Sequence, residues 1–204
     1  MGGRGAPFTQ DFGASYAHQL CLSFGAECST LAWSGISLAM RETGPKIPGC
    51  PEGQCVLPDL FPWSLPTYAG NPAYAWNMSA WKPQLAHINL GTNDQAGNFS
   101  NATFLAEFEA DYVNFAHAIA AAYGDAQAKT ITFALAWGPM ANQYSGAVAA
   151  VAATLSSEGY KVITLDYMME QYSPIGCEYH PSAEVDAAMA AQVRPAIAAA
   201  MGWA

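Results

Sequence analysis

The residues of this chain best suited to chemistry are Asn93, Gly35 and His180. Asn93 stands in Gly91-Thr92-Asn93-Asp94, directly after the apolar run His87-Ile88-Asn89-Leu90. An apolar run that stops at polar residues reads as a buried parallel strand delivering groups to its carboxyl end, where open α/β sheets bind ligands. An Asn there can donate a side-chain N–H to a developing oxyanion. It also suits a turn, because Asn and Asp bond readily to nearby backbone. Gly35 closes Trp33-Ser34-Gly35; a glycine either lets its backbone N–H approach a ligand or turns the chain. His180 precedes Pro181 and a helix for which Ser182 is a good cap, a position suited to a general base. His18 and His117 fall on helices and His87 lies mid-strand, so they are less apt. No two histidines have metal-ligand spacing and no glycine-rich phosphate loop follows a strand. Neither a metal nor an organic cofactor is expected.

The elements that must position these residues come next. Ser15 to Phe24 is helical in pattern, with Tyr16, Leu20 and Phe24 on one face, and Gly25 ends it. Cys28 to Trp33 is a strand candidate, as are Leu85 to Leu90, Thr130 to Trp137 and Lys161 to Asp166. Ala102 to Tyr123 carries Phe104, Phe108, Tyr112, Phe115 and Ile119 at helical spacing; Ser145 to Ser157 and Ser182 to Met201 are further helices. Strands alternating with helices of this length predict an α/β fold with a parallel sheet. Residues 41–83 hold eight prolines, which forbid long regular elements; the six aromatics from Phe61 to Trp81 favour an ordered loop over a disordered one.

At 204 residues, 52% hydrophobic and 11% charged, the chain reads as one well-buried domain over 1–204. Its net charge of −9 argues against a nucleic-acid partner. No apolar run is long enough for a membrane span. The leader, residues 1–14, is read as irregular and lacks the apolar centre of a signal peptide. Three glycosylation sequons begin at Asn77, Asn98 and Asn101. Cys50 and Cys55 flank a Pro/Gly-rich loop and suit either a small disulfide or free thiols. Cys21, Cys28 and Cys177 sit in apolar contexts and read as buried thiols. Low charge, sequons and a possible disulfide favour an extracellular or secretory protein whose targeting segment lies upstream.

The order of Gly after one strand, Asn after the next and His before the final helix resembles the SGNH (GDSL-type) hydrolase superfamily. Trp33-Ser34-Gly35, Gly91-Thr92-Asn93-Asp94 and His180-Pro181-Ser182 are similar to its second, third and fifth blocks. Leu31-Ala32-Trp33-Ser34-Gly35, Leu57-Pro58-Asp59-Leu60-Phe61-Pro62, Trp81-Lys82-Pro83-Gln84 and Gly176-Cys177-Glu178-Tyr179-His180-Pro181 resemble carbohydrate esterase family two. The resemblance runs from about Ser15 to Trp203. It implies a three-layer α/β/α, flavodoxin-like sheet and a carbohydrate O-acetylesterase. His180 would be the catalytic base, Gly35 and Asn93 the oxyanion donors, and Tyr179 and Trp63 candidate sugar contacts. The partner would be an acetylated polysaccharide or a small ester. The alternatives are a non-catalytic glycan- or ester-binding relative and a small-ester lipase of the same superfamily.

Two positions depart from the pattern. The superfamily places an Asp three residues before the His, and here that residue is Cys177; members with a Ser–His dyad dispense with it, and Glu178 is a substitute. The nucleophilic Ser belongs in a Gly-Asp-Ser segment after a first strand. The nearest approach here is Asp11-Phe12-Gly13-Ala14-Ser15, with Ser34 the other candidate. The expectation is therefore an N-terminally truncated domain without its first, central strand and its nucleophile block. A gap would follow between two strands, and unpaired buried backbone is costly.

Overall fold

The computed structural model describes residues 11–44, 46–47, 49–50, 54–96, 101–138, 142–167, 176–177 and 180–204. They form two compact units: residues 31–164, and the pairing of the chain's start up to Thr30 with residues 165–204.

The larger unit is built on a parallel sheet. Strands β1 (Leu85–Asn89), β2 (Thr132–Ala136) and β3 (Lys161–Thr164) lie side by side in chain order, with β2 in the middle. Register pairs Leu85 with Thr132 and Asn89 with Ala136, then Thr132 with Lys161 and Leu135 with Thr164. All five residues of β2 are buried, as a central parallel strand requires. Helix α3 (Ala102–Ala122) packs on α4 (Ser145–Ser157), and α4 packs on β2 and β3. Asn101 caps α3 by accepting from the Thr103 N–H at 2.9 Å. The apolar faces of both helices close the core: Phe108, Tyr112, Phe115 and Ile119 with Val148, Val151 and Leu155, over Ile88, Phe133 and Leu135. The Tyr112 hydroxyl lies 2.8 Å from the Ala136 carbonyl and 2.9 Å from that of Ile88, tying α3 to the ends of β1 and β2.

The long loop is ordered by specific ties rather than by regular structure. Helix α2 (Leu57–Leu60) begins where Asp59 reaches back to the Val56 N–H at 3.0 Å. Arg41 pairs with Asp59 and donates to the Gln54 carbonyl at 2.8 Å. Cys50 and Cys55 form a disulfide. Leu57, Leu60, Ile47 and Cys55 are buried in the core.

The smaller unit pairs α1 (Tyr16–Phe24) with α5 (Ala183–Met201). Ser15 and Ser182 cap their amino ends, and Gly25 and Gly202 end them at positive φ. The first-turn N–H of Tyr16 donates to Asp186 at 3.0 Å. Arg194 lies over the Phe24 ring, 4.6 Å from its centroid, and donates to the Ser23 and Ala204 carbonyls. Helix α5 is continuous through Pro195.

Three sequence readings are corrected. Cys28 to Trp33 forms no strand. A strand needs a neighbour for its N–H and C=O groups, and among the described residues no strand pairs with the free edge of β1. Cys21 and Cys28 are joined in a disulfide rather than being buried thiols; the left-handed turn at Gly25 reverses the chain between them. Cys177 is a free thiol but exposed, not buried.

Candidate active site

The carboxyl end of β1 is set by glycine chemistry. Gly91 has φ +131°, and a Cβ there would stand 2.5 Å from the Trp137 carbonyl oxygen. Only glycine lets the two strand ends approach this closely. Across the same gap the Gly138 N–H donates to Asn89 Oδ1 at 2.8 Å. The chain then turns through Thr92-Asn93-Asp94, closed by the Asp94 N–H donating to the Gly91 carbonyl at 3.0 Å.

This turn grips the loop that carries Gly35. Asn93 Nδ2 donates to the Ile36 carbonyl at 2.9 Å, leaving its second N–H unused by that bond. The Asp94 carboxylate is fully buried and accepts from the Leu38, Ala39 and Met40 N–H groups at 2.9, 2.8 and 3.0 Å. Burial pushes the Asp94 carboxyl above the usual range against these three bonds, which pull it down. The Tyr144 hydroxyl donates to the Asp94 main-chain carbonyl at 2.6 Å, and the Tyr144 ring stacks on Phe108 at 4.3 Å. Gly35 sits exposed at φ +75°, with open space where a side chain would be. The Asn93 side chain is exposed too. Two N–H donors thus come from adjacent loops of one unit. Sequence reasoning named both as candidates and did not name Asp94, whose role depends on which backbone it meets.

His180 belongs to the smaller unit. It is exposed, at the end of a tight turn in which the Gly176 N–H donates to the His180 carbonyl at 2.7 Å and the His180 N–H to the Cys177 carbonyl at 3.0 Å. Asp186, in the first turn of α5, interacts electrostatically with His180. Burial raises the Asp186 carboxyl, while the Tyr16 N–H and the His180 charge oppose the rise. Ser15 is engaged on both sides: its Oγ caps α1 by accepting from the His18 N–H at 3.4 Å and donates to the Phe12 carbonyl at 2.7 Å. Ser34 lies exposed beside Gly35.

Trp63 is half-buried and packs against the core, in a short bridge to Ala75. The exposed aromatics of that loop are Tyr68 and Trp76, and Tyr68 pairs with Tyr74 at 4.7 Å. Asn77 and Asn101 are exposed. Asn98, Glu178 and Tyr179 lie outside the described residues. Among the described residues no three His, Cys, Asp or Glu side chains group to hold a metal ion, and no helix is long and apolar enough to cross a membrane.

Comparison with known proteins adds the following. Residues 40–193, which include Asn93 and His180, match the model of the GDSL-like lipase/acylhydrolase family. The chain is 29% identical over 191 residues to the cellulase/esterase CelE of Acetivibrio thermocellus, covering 93% of this chain and 22% of that protein. A family two carbohydrate esterase from Clostridium thermocellum in complex with cellohexaose superposes with a TM-score of 0.73 at 26% identity, over 98% of this chain and 57% of that one. The acetyl xylan esterase Est2A from Butyrivibrio proteoclasticus shares the fold, with a TM-score of 0.70 at 15% identity over 97% of this chain and 58% of that one. The chain therefore spans about a fifth of CelE and little more than half of the solved esterases.

Proposed function

The chain belongs to the GDSL-like lipase/acylhydrolase family, and from that premise we propose that it is a carbohydrate O-acetylesterase-type serine hydrolase domain acting on acetylated polysaccharides. The observation that supports this reading is the bond from Asn93 Nδ2 to the Ile36 carbonyl, which ties the Asn93 side chain to the loop that carries the exposed Gly35. A side-chain and a backbone N–H donor suit the oxyanion of an acyl-transfer intermediate. In this reading the serine hydroxyl of a Gly-Asp-Ser block, which these 204 residues do not contain, attacks the acetyl carbonyl and the bond to the sugar oxygen breaks, so the chain as given is inactive unless that serine is supplied. His180 takes the serine proton and returns it to the leaving sugar oxygen, and water then releases acetate. The identity to CelE and the fold of the cellohexaose-bound esterase support a polysaccharide ester as substrate.

With the serine block supplied, the test is acetate release from acetylated xylan and from 4-nitrophenyl acetate. His180→Ala abolishes turnover, and Asn93→Ala lowers kcat by about 10²–10³-fold. Unchanged turnover in both variants refutes the reading. A second reading has its own observation: no Gly-Asp-Ser occurs in the 204 residues. It makes the chain a glycan- or ester-binding relative, which calorimetry distinguishes as binding of acetylated xylo-oligosaccharide with no acetate released. A small-ester lipase would instead favour 4-nitrophenyl acetate over the polysaccharide.

We assign the chain to the secretory pathway. The disulfides Cys21–Cys28 and Cys50–Cys55 support an oxidising compartment, and the exposed Asn77 and Asn101 support glycosylation.

A further inference from the structure

Gly35 lies in a turn closed by the Ile36 N–H donating to the Trp33 carbonyl at 3.2 Å. It is exposed, at φ +75°, with nothing within 4 Å of where a side chain would be. Besides the Leu57 N–H donating to the Ser37 carbonyl at 3.0 Å, the segment that follows is tied to the turn after β1 at two places. One is the Ile36 carbonyl, taken by Asn93. The other is the run Leu38-Ala39-Met40, whose three consecutive N–H groups all point at one carboxylate. Asp94 Oδ2 takes the first, and Oδ1 takes the second and third. The carboxylate shows no exposure to solvent, so these charge-assisted bonds are its solvation. Asp94 is itself fixed at both main-chain groups, by the Gly91 carbonyl and the Tyr144 hydroxyl.

We propose that Asp94 is the positioning residue of the oxyanion pair: it locks the 35–40 loop to the turn after β1, so that one short peptide, Asn93-Asp94, both supplies one donor and aims the other. The functional part of this rests on the acylhydrolase reading above; the mechanical part does not. Adjacent residues divide the work because they leave the turn in opposite roles. Asn93 is exposed and offers N–H outward, whereas Asp94 is buried and collects N–H inward.

Asp94→Asn is the informative change because it keeps shape and removes acceptor capacity. An amide has one acceptor oxygen and one donor nitrogen. With its oxygen at the Oδ1 position it keeps Ala39 and Met40 but turns an N–H against the N–H of Leu38. Flipped, it loses two bonds. At least one of three is broken either way.

The experiment compares the protein with Asp94→Asn by amide hydrogen exchange and by the ¹⁵N resonances of Gly35 N–H and Asn93 Nδ2. The expected result is faster exchange at Leu38, Ala39 and Met40 and displaced Gly35 and Asn93 signals, with β2 amides unchanged. Undisturbed exchange and unmoved signals overturn the proposal, whatever the activity. The kinetic arm is a double-mutant cycle with Asn93→Ala on an acetyl ester. Asp94→Asn alone lowers kcat about 10-fold or more with KM held within about twofold, and lowers it less in the Asn93→Ala background. Full additivity overturns the proposal. An Asn93→Ala variant with normal turnover refutes the acylhydrolase reading and leaves the exchange result standing.

Discussion

Replacing Gly91 with Ala should destabilise the larger unit by more than backbone strain alone. Two costs combine. At φ +131° an L-residue is in territory reserved for glycine, a strain of about 1–3 kcal/mol. The new methyl also lies 2.5 Å from the Trp137 oxygen, 3.2 Å from the Trp137 carbonyl carbon and 3.3 Å from Tyr144 Cδ2. Overpacking of this kind costs about 1–3 kcal/mol more. The nearest atom is backbone at the end of a buried strand and cannot rotate away, so the sum belongs near about 4 kcal/mol. Gly124→Ala in the same unit is the control. Gly124 has φ +66° with nothing within 4 Å, so only the left-handed backbone term remains, about 1–2 kcal/mol. Equilibrium unfolding in urea at constant m separates the two by midpoint. Thermal scans should differ by roughly 2–4 °C per kcal/mol. If the two variants agree to about 0.5 kcal/mol, the close approach of the strand ends is not what requires glycine, and the reasoning fails.

Three further outcomes follow from the same structure. Burial lowers the His87 imidazole to about 4, so its contribution is complete above the unfolded value of about 6.5 and is lost as pH falls from 6.5 to 4; the stability difference between the protein and His87→Gln should shrink by about 3 kcal/mol over that window, measured by urea midpoints. Without reductant a thiol reagent should titrate one cysteine per chain, Cys177, and after reduction in denaturant five; replacing Cys50 and Cys55 by Ser should cost about 2 kcal/mol from loop closure alone, read by the same midpoints. Expressed through a eukaryotic secretory pathway, the protein should lose mass on glycosidase treatment, and Asn77→Gln and Asn101→Gln should each remove one glycan; an unchanged mass refutes the assignment.

The main helices and the three strands were legible because each has a pattern that only one environment satisfies. Phe108, Tyr112, Phe115 and Ile119 make one buried stripe on α3, and β2 is buried throughout and apolar from Phe133 to Ala136. The strand anticipated at Cys28 to Trp33 failed for a reason no local pattern contains: a strand is a relation between two segments, and among the described residues this segment pairs with no other. The Cys21–Cys28 disulfide was hidden the same way, since it depends on the reversal at Gly25 rather than on either cysteine's neighbours. In the loop, proline spacing announced irregular structure but not the Arg41–Asp59 pair that orders it across eighteen positions. At the site, residue types pointed to Gly35, Asn93 and His180, whereas the partners of Asp94 are three backbone N–H groups, which every sequence has everywhere.

That last point explains why Gly-Thr-Asn-Asp carries more information than a turn needs. A turn requires only a glycine and a polar residue. Here the glycine is required by the Trp137 carbonyl, the Asn bonds the Ile36 carbonyl, and the Asp bonds three amides of the 38–40 segment. Each of these partners lies more than forty positions away and inside the same unit. Asn93 and the 35–40 loop are therefore tied together by contacts made within residues 31–164. Any change in His180 or its turn should leave the Asn93–Ile36 bond and the Asp94 clamp in place.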